Sequence, residues 1–371
     1  MLKVLHIIGS ANFGGIEKLV YDLSKAQHKK HADIGILILR KEGEFLDRFL
    51  ETRIPCYFSN IKSGFDLSFG KYLKIYNILN EYDIVNVHSF NPILSLVLWL
   101  SKTKIVYTVH SVRGFGRVKK RFELLKLFFQ KVFFNRIVDF ITFNSNYCKS
   151  YWSYILKNTP SKVIYNGLDF SSENYFSNDR AKLSIESNFV IGTSCRFIKW
   201  KRVDKLINAF KKCKEKIPDA KLLLVGDGPE RPSLEKLAQD LGIKEHVVFT
   251  GYRDNVRAYQ NSMDVCVFPS TTETFGLVAI ETLLLGKPTI VFQDGGGITE
   301  IINGVNKEDV VSDENELVQR LIYYFDNNVA IIDGMEKRIN FAKEFNIEKM
   351  AEQFNVVYSQ LMMNSQKQVS L

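Results

Sequence analysis

Short apolar runs alternate with glycine-bearing loops and amphipathic stretches along the whole chain. Lys3-Val-Leu-His-Ile-Ile8 shows almost no polar alternation, which is the pattern of a parallel strand buried on both faces. A loop follows, and Ile16 to Lys25 then spaces its apolar residues as a helix. The alternation continues with strands at 34–39, 56–58, 84–88 and 104–109 and helices at 44–51, 70–80 and 92–100. A strand at 137–143 and, over 162–169, a short strand running into a turn complete the first series. Residues 168–188 turn polar and read as a linker. A second series has strands at 189–194, 220–225, 247–249, 265–269 and 289–292, and helices at 203–217, 231–241 and 256–262. Another helix leaves Phe275-Gly276, and residues 315–363 read as helices. Repeated βα units predict an α/β chain with two parallel-sheet domains of similar size and a cleft between them. The expected boundaries are 1–170, 171–345, and a helix and tail over 346–371 that packs back on the N-terminal domain.

Length and composition agree with this. The 371 residues suffice for two domains, and 46% hydrophobic residues supply two cores. Cys56, Cys148, Cys195, Cys213 and Cys266 stand singly, so neither a zinc site nor a disulfide framework is expected, and the chain reads as reduced and cytosolic. The first residues are apolar but lack a small-residue cleavage site, so no signal peptide is read. The apolar run from Ile93 to Leu100 falls far short of the ~20 residues a spanning helix needs. A net charge of +9 favours anionic partners, whether nucleotides, lipid headgroups or nucleic acid.

The basic residues are concentrated in one place. Arg117, Lys119, Lys120, Arg121, Lys126, Lys131 and Arg136 face a single acid, Glu123, and are interleaved with phenylalanines and leucines. Two readings stand: a core helix with a solvated basic edge, or a helix lying on an anionic membrane surface through Arg117, Lys119, Lys120, Arg121 and Lys126. Because the charges lie beside Phe and Leu and match no nucleic-acid reader motif, no nucleic-acid partner is expected.

Candidate chemistry lies at strand ends. The loop Gly9 to Gly15 lacks the Lys of a phosphate-binding P-loop and the second Gly of a dinucleotide fingerprint, where Ala11 stands. Gly14 and Gly15 at a helix start either admit a ligand close to the backbone or serve a tight turn. His88 and His110 end two strands. Arg196 and Lys201 follow the first strand of the second series and are either two exposed loop cations or the two cations a departing diphosphate requires when no metal is present. No Asp-x-Asp pair suited to a divalent metal occurs. In Ser270-Thr-Thr-Glu273-Thr-Phe-Gly276-Leu-Val-Ala-Ile-Glu281, a helix starting near Phe275-Gly276 can receive a phosphate on its first N–H groups. Glu273 then reaches one side of that phosphate, and Glu281 the other, ~7–8 Å along the axis. Capping by Glu273 and a surface position for Glu281 is the bland alternative.

Taken in order, these pieces resemble the family 4 retaining glycosyltransferases (glycosyl transferases group 1), which have the GT-B fold of two Rossmann-like parallel-sheet domains facing each other across a cleft. The resemblance rests on Glu273-x7-Glu281 with Pro269-Ser270 and Phe275-Gly276-Leu277, on Arg196-x4-Lys201, on Val225-Gly-Asp-Gly-Pro229 and on Gly251-Tyr252. In the first half it rests on Gly14-Gly15-Ile-Glu17, Thr108-Val-His110 and Asn166-Gly-Leu-Asp169. It implies catalytic roles for His110, Arg196, Lys201 and Glu273, and donor binding by Gly14, Gly15, Gly251, Tyr252, Arg253, Phe275, Gly276, Leu277 and Glu281. Arg196 and Lys201 would neutralise the leaving diphosphate, Glu273 would orient the donor sugar, and Glu281 would grip the ribose. It also implies retention by front-face attack, no metal and no cofactor, and a UDP- or GDP-linked sugar as co-substrate. The chain departs from the family pattern at Trp200 and at Thr299-Glu300, and neither departure is expected to touch these roles.

The expected partners are a nucleotide sugar, a lipid-linked saccharide acceptor and the anionic inner face of the plasma membrane, in surface polysaccharide biosynthesis. A GT-B sugar-nucleotide epimerase and a non-catalytic sugar-nucleotide-binding scaffold are the alternatives. The sequence names neither base, sugar, linkage nor oligomeric state.

Overall fold

The structure is a computed structural model. It describes the backbone of residues 2–369 apart from 13, 31, 62–65, 67, 90, 113–130, 154, 155, 157 and 171–184, with side chains described as far as 364. The chain divides into two compact units, Met1–Phe170 with Asn346–Leu371, and Ser171–Phe345.

The first unit runs β1 (Lys3–Ile8), α1 (Gly15–Lys29), β2 (Asp33–Ile38), α2 (Leu46–Leu50), β3 (Cys56–Phe58), α3 (Phe69–Leu79), β4 (Ile84–Val87) and α4 (Pro92–Leu100). It continues through β5 (Lys104–Val109), β6 (Phe140–Phe143), α5 (Asn146–Trp152) and β7 (Ser161–Val163). Its sheet has the order β3-β2-β1-β4-β5-β6-β7, with every pair parallel.

The second unit runs β8 (Val190–Ser194), α6 (Val203–Cys213), β9 (Lys221–Val225), α7 (Arg231–Asp240), β10 (Val247–Phe249), α8 (Val256–Asn261), β11 (Val265–Phe268) and α9 (Leu277–Leu284). After β12 (Thr289–Phe292), α10 (Gly297–Val305) and β13 (Val310–Val311), it ends in α11 (Glu314–Asp326), α12 (Asn328–Asp333) and α13 (Met335–Lys343). Its sheet is β10-β9-β8-β11-β12-β13, again parallel throughout. The last helix, α14 (Ile347–Val369), belongs to the first unit. It is admitted there by a bridge between Leu168 and Asn346 and by the Ile347 N–H bonded to the Leu168 carbonyl at 3.0 Å.

Strand alternation sorts the first core into two layers. Leu5 and Ile7 of β1 join Ile75 and Leu79 of α3 and Leu94 and Leu98 of α4. Val4 and Ile8 join Leu19 and Leu23 of α1 and Phe354, Val357 and Tyr358 of α14 on the opposite face. Since both faces are covered, the strands read as unbroken apolar runs.

Several details differ from the sequence reading. The strand expected over 137–143 begins at Phe140, because residues 133–137 form one wide helical turn closed by the Val138 N–H on the Phe133 carbonyl at 3.2 Å. The helix expected over 203–217 ends at Cys213, followed by turns. The helix Asn146–Trp152, capped by the Ser145 hydroxyl, was not anticipated. The basic stretch Arg117, Lys119, Lys120, Arg121 and Lys126 lies outside the described residues, while just beyond it Phe133 and Phe134 are buried in the core.

Candidate active site

In each sheet the chain reverses its direction of travel beside the first strand, between β1 and β4 and between β8 and β11. Loops leaving the carboxyl ends of such a pair diverge and open a crevice. In the second unit the loop after β8 carries Arg196 and Lys201, and the loop after β11 carries Glu273.

Backbone bonds knit these loops to the loop after β12. The Thr271 N–H bonds the Trp200 carbonyl at 2.9 Å, Thr272 N–H bonds Asp294 at 3.1 Å, and Glu273 N–H bonds Gly295 at 2.8 Å. Gly297 N–H closes the set on the Glu273 carbonyl at 2.6 Å. A β-carbon at Gly297 would lie 2.2 Å from the Thr274 carbonyl oxygen, so only glycine permits this approach. Gly226, with φ +130, lets the loop after β9 lie on the Cys195 carbonyl in the same way. Arg202 clamps the assembly: its Nε donates to the Pro269 carbonyl at 2.6 Å, and its two terminal nitrogens donate to the Asp294 carboxylate at 2.8 and 2.6 Å. Arg202 and Thr272 have φ values of 50 and 55, and two of the three left-handed non-glycine residues among those described therefore lie in these loops. Such strain persists only where the surroundings over-determine it, and it gathers at functional sites.

The clamp presents an ion pair. Lys201 Nζ donates to Glu273 Oε2 at 2.6 Å, with both side chains less than one-fifth exposed. The ammonium also sits 4.4 Å from the centroid of the Trp200 ring. Trp200, a departure from the family pattern, lies under Lys201, and its π face favours the cation. Immediately downstream, the buried Phe275 and the left-handed Gly276 (φ 99) start α9 without a side-chain cap. Ala279 N–H bonds the Gly276 carbonyl at 2.9 Å, and the N–H groups ahead of it, which have no intrahelical acceptor, can bind an anion. Glu281 is half-buried on α9. Helix start, Lys201 cation and Glu273 carboxylate therefore lie together at the carboxyl ends of β8 and β11.

The remaining residues of this unit are placed as follows. Arg196 is exposed, with no ion pair among the described residues. Gly251 accepts the Gly226 N–H at 3.0 Å, Tyr252 is exposed, and Arg253 lies 5.6 Å from the Tyr259 ring centroid. An open cavity of about 790 Å³ touches Trp200, Arg202 and Thr271 but not Lys201, Glu273 or Glu281, so it adjoins the pair without containing it. Among the described residues no group of three His, Cys, Asp or Glu side chains is arranged to hold a metal.

In the first unit, Gly14 is the N-cap and Gly15 the first residue of α1. A β-carbon at Gly15 would touch nothing within 4 Å, so the fold itself does not require glycine there. His110, just past β5, is bonded through Nε2 to His88 Nδ1 at 2.9 Å, and His88 Nε2 to His6 Nδ1 at 3.0 Å. His6 Nε2 meets Gln27 Oε1 of α1 at 2.8 Å, and Gln27 Nε2 donates to Asn355 of α14 at 3.2 Å. Beside this row runs another: Asn86 Nδ2 donates to the Tyr358 hydroxyl, Thr108 to Asn86 and Thr142 to Thr108, at 2.8 to 2.9 Å. Burial pushes His6 and His110 down to about 4 and holds His88 well below its ordinary value, so all three imidazoles are neutral near pH 7. Sequence reasoning had marked His88 and His110 but missed His6, Gln27 and Arg202. A histidine inside the otherwise apolar run Lys3–Ile8 was the available signal for the first.

Residues 176–354 match the profile for Glycosyl transferases group 1, and residues 13–172 that for Glycosyltransferase Family 4. The O-antigen biosynthesis glycosyltransferase WclY of Escherichia coli is 24% identical over 97% of this chain and 99% of its own length. The N-acetyl-alpha-D-glucosaminyl L-malate synthase of Bacillus anthracis is 32% identical over 54% of each chain. Among solved structures, Anabaena HepE in complex with UDP superposes with a TM-score of 0.81 at 22% identity, covering 97% of this chain and 100% of that one. A sucrose-phosphate synthase from Thermosynechococcus elongatus gives 0.75 at 20% identity, covering 98% and 100%. These likenesses identify the two sheets as those of the GT-B fold. The chain is a member of the family 4 glycosyltransferases, its second unit corresponding to their group 1 domain.

Proposed function

We propose that the chain moves a sugar, with retention and without a metal, from a UDP- or GDP-linked donor to a lipid-linked glycan acceptor during surface polysaccharide biosynthesis. The observation that carries this reading is the Lys201–Glu273 pair beside the uncapped start of α9. A diphosphate placed there meets the α9 N–H groups and the Lys201 ammonium together. As the glycosidic bond breaks, negative charge grows on the departing phosphate, and a cation already in place stabilises it without reorganisation. Glu273 holds that cation through Oε2 and keeps Oε1 for a sugar hydroxyl, Glu281 takes the ribose diol, and Arg196, Gly251, Tyr252 and Arg253 border the donor. Gly14 and Gly15 keep the start of α1 open to it, and His110 accepts a hydroxyl of the sugar or the acceptor. The relatives named for O-antigen biosynthesis and crystallised with UDP support this choice of donor and pathway.

The same proposal places the protein on the inner face of the plasma membrane as a peripheral protein. No helix among the described residues is long and apolar enough to cross a membrane. However, α3 and α4 pack together and expose Phe69 and Leu73, and Leu96, Trp99 and Leu100, each set along one side of its helix. Phe69 is 79% and Trp99 61% exposed, which suits an apolar contact with a lipid surface.

Transfer assayed with nucleotide-sugar donors tests the reading. Turnover should persist in EDTA, and Lys201→Ala should lower it by a factor of roughly 10² to 10³ while the circular dichroism spectrum is kept. Strict metal dependence, or wild-type turnover in Lys201→Ala, would overturn it.

A further inference from the structure

The buried polar row under α1 and α14 is more ordered than core packing alone requires. His6, His88 and His110 come from three adjacent strands, β1, β4 and β5, and lie on the face turned toward α1 and α14. Each imidazole meets the next through one Nε2 and one Nδ1, so the three share a single polarity. A neutral imidazole has one donor and one acceptor nitrogen, and fixing either fixes the other. The Gln27 carbonyl faces His6 Nε2, which must therefore carry the proton. His6 Nδ1 is then an acceptor, so His88 must donate from Nε2. Its Nδ1 is an acceptor in turn, and His110 must donate from Nε2. Among the described residues Nδ1 of His110 has no partner. The amide of Gln27 is itself oriented by donating to Asn355 on α14.

We propose that Gln27, His6 and His88 are positioning residues that hold His110 with its proton on Nε2, so that Nδ1 is offered to the reaction as a hydrogen-bond acceptor for a hydroxyl group. The proposal rests on the role given to His110 in the proposed function. The row ends at an amide, which takes up no proton, so it sets a tautomer and does not carry charge away. Burial also keeps all three rings uncharged, so His110 accepts a hydrogen bond without becoming a cation beside the reacting centre. The dependence on Asn355 ties this setting to the seating of α14.

Long-range nitrogen–proton correlation spectra of the full chain, labelled at its six histidines, read the tautomers directly. Replacing each of the three with asparagine in turn assigns the signals. The expected result is a neutral Nε2–H pattern for His6, His88 and His110 at about pH 7. Gln27→Leu should abolish that pattern at His110 and lower kcat about tenfold with donor KM within about twofold. Asn355→Asp, which still accepts from the Gln27 amide, should keep both pattern and kcat. A proton on Nδ1 of His110 in the wild type would overturn the proposal, as would Gln27→Leu leaving the tautomer unchanged. Because the spectra need no substrate, they decide this point even if no nucleotide sugar supports turnover, an outcome that would count against the proposed function alone.

Discussion

Lys201 and Glu273 are 72 positions apart, yet their side chains form one ion pair. Both residue types and their spacing motifs were legible in the sequence. Their pairing was not, because it depends on three loops being tied together, and only glycine lets those loops touch. Trp200 shows the same limit: its departure from the family pattern could be read from the sequence, but its place under the Lys201 ammonium could not. Removing one partner of a half-buried pair leaves the other charge uncompensated, so neither residue can be lost quietly. Gly297→Ala tests the architecture without touching a charge. Its β-carbon would press on the Thr274 carbonyl next to Glu273, so urea unfolding should show a loss of about 1–3 kcal/mol, with turnover falling as Glu273 shifts. Unchanged stability and turnover would mean that the loops relax freely.

At the scale of elements, the parallel strands could be read because burial on both faces leaves them unbroken apolar runs. Where the backbone leaves the regular patterns, the reading failed. The wide turn at 133–137 delays β6, and β13, only two residues long, carries too short a pattern to be seen. The histidine row was hidden for a related reason, since a histidine that points into a core fits the strand pattern as an apolar residue does. The row has a thermodynamic signature. The pKa of His6 is about 4 in the folded chain against an unperturbed 6.5, so above pH 6.5 both states are uncharged and its contribution to stability is complete. As pH falls from 6.5 toward 4, the unfolded chain binds a proton that the folded chain refuses, and stability is lost. Between pH 7 and 5 this amounts to about 2 kcal/mol for His6. Urea midpoints measured across that range should fall more steeply for the wild type than for His6→Asn, and equal slopes would remove His6 from the account.

At the scale of the molecule, two parallel sheets with the same kind of switch point each place a crevice at the carboxyl ends of their strands, and this much followed from the alternation of βα units. The return of α14 to the first unit puts Phe354, Val357 and Tyr358 into a core whose members from outside that helix lie more than 180 positions earlier in the chain. The apolar side of α3 and α4 makes a prediction at this scale. Flotation on vesicles containing anionic lipid should carry the chain upward, and Trp99→Ser with Leu96→Ser should leave it at the bottom without changing its circular dichroism spectrum. Equal flotation of the double variant would free that face from membrane contact.

The central claim is that the Lys201–Glu273 crevice receives the diphosphate of a nucleotide sugar. Calorimetric titration of the full chain and of its Lys201→Ala variant with UDP and GDP measures this directly. Without Lys201, the Glu273 carboxylate faces the diphosphate unneutralised, so loss of attraction and new repulsion act together. The account predicts saturable binding of one of the two nucleotides by the wild type and at least about tenfold weaker binding by the variant. Binding of neither nucleotide, or equal affinity in both proteins, would contradict it.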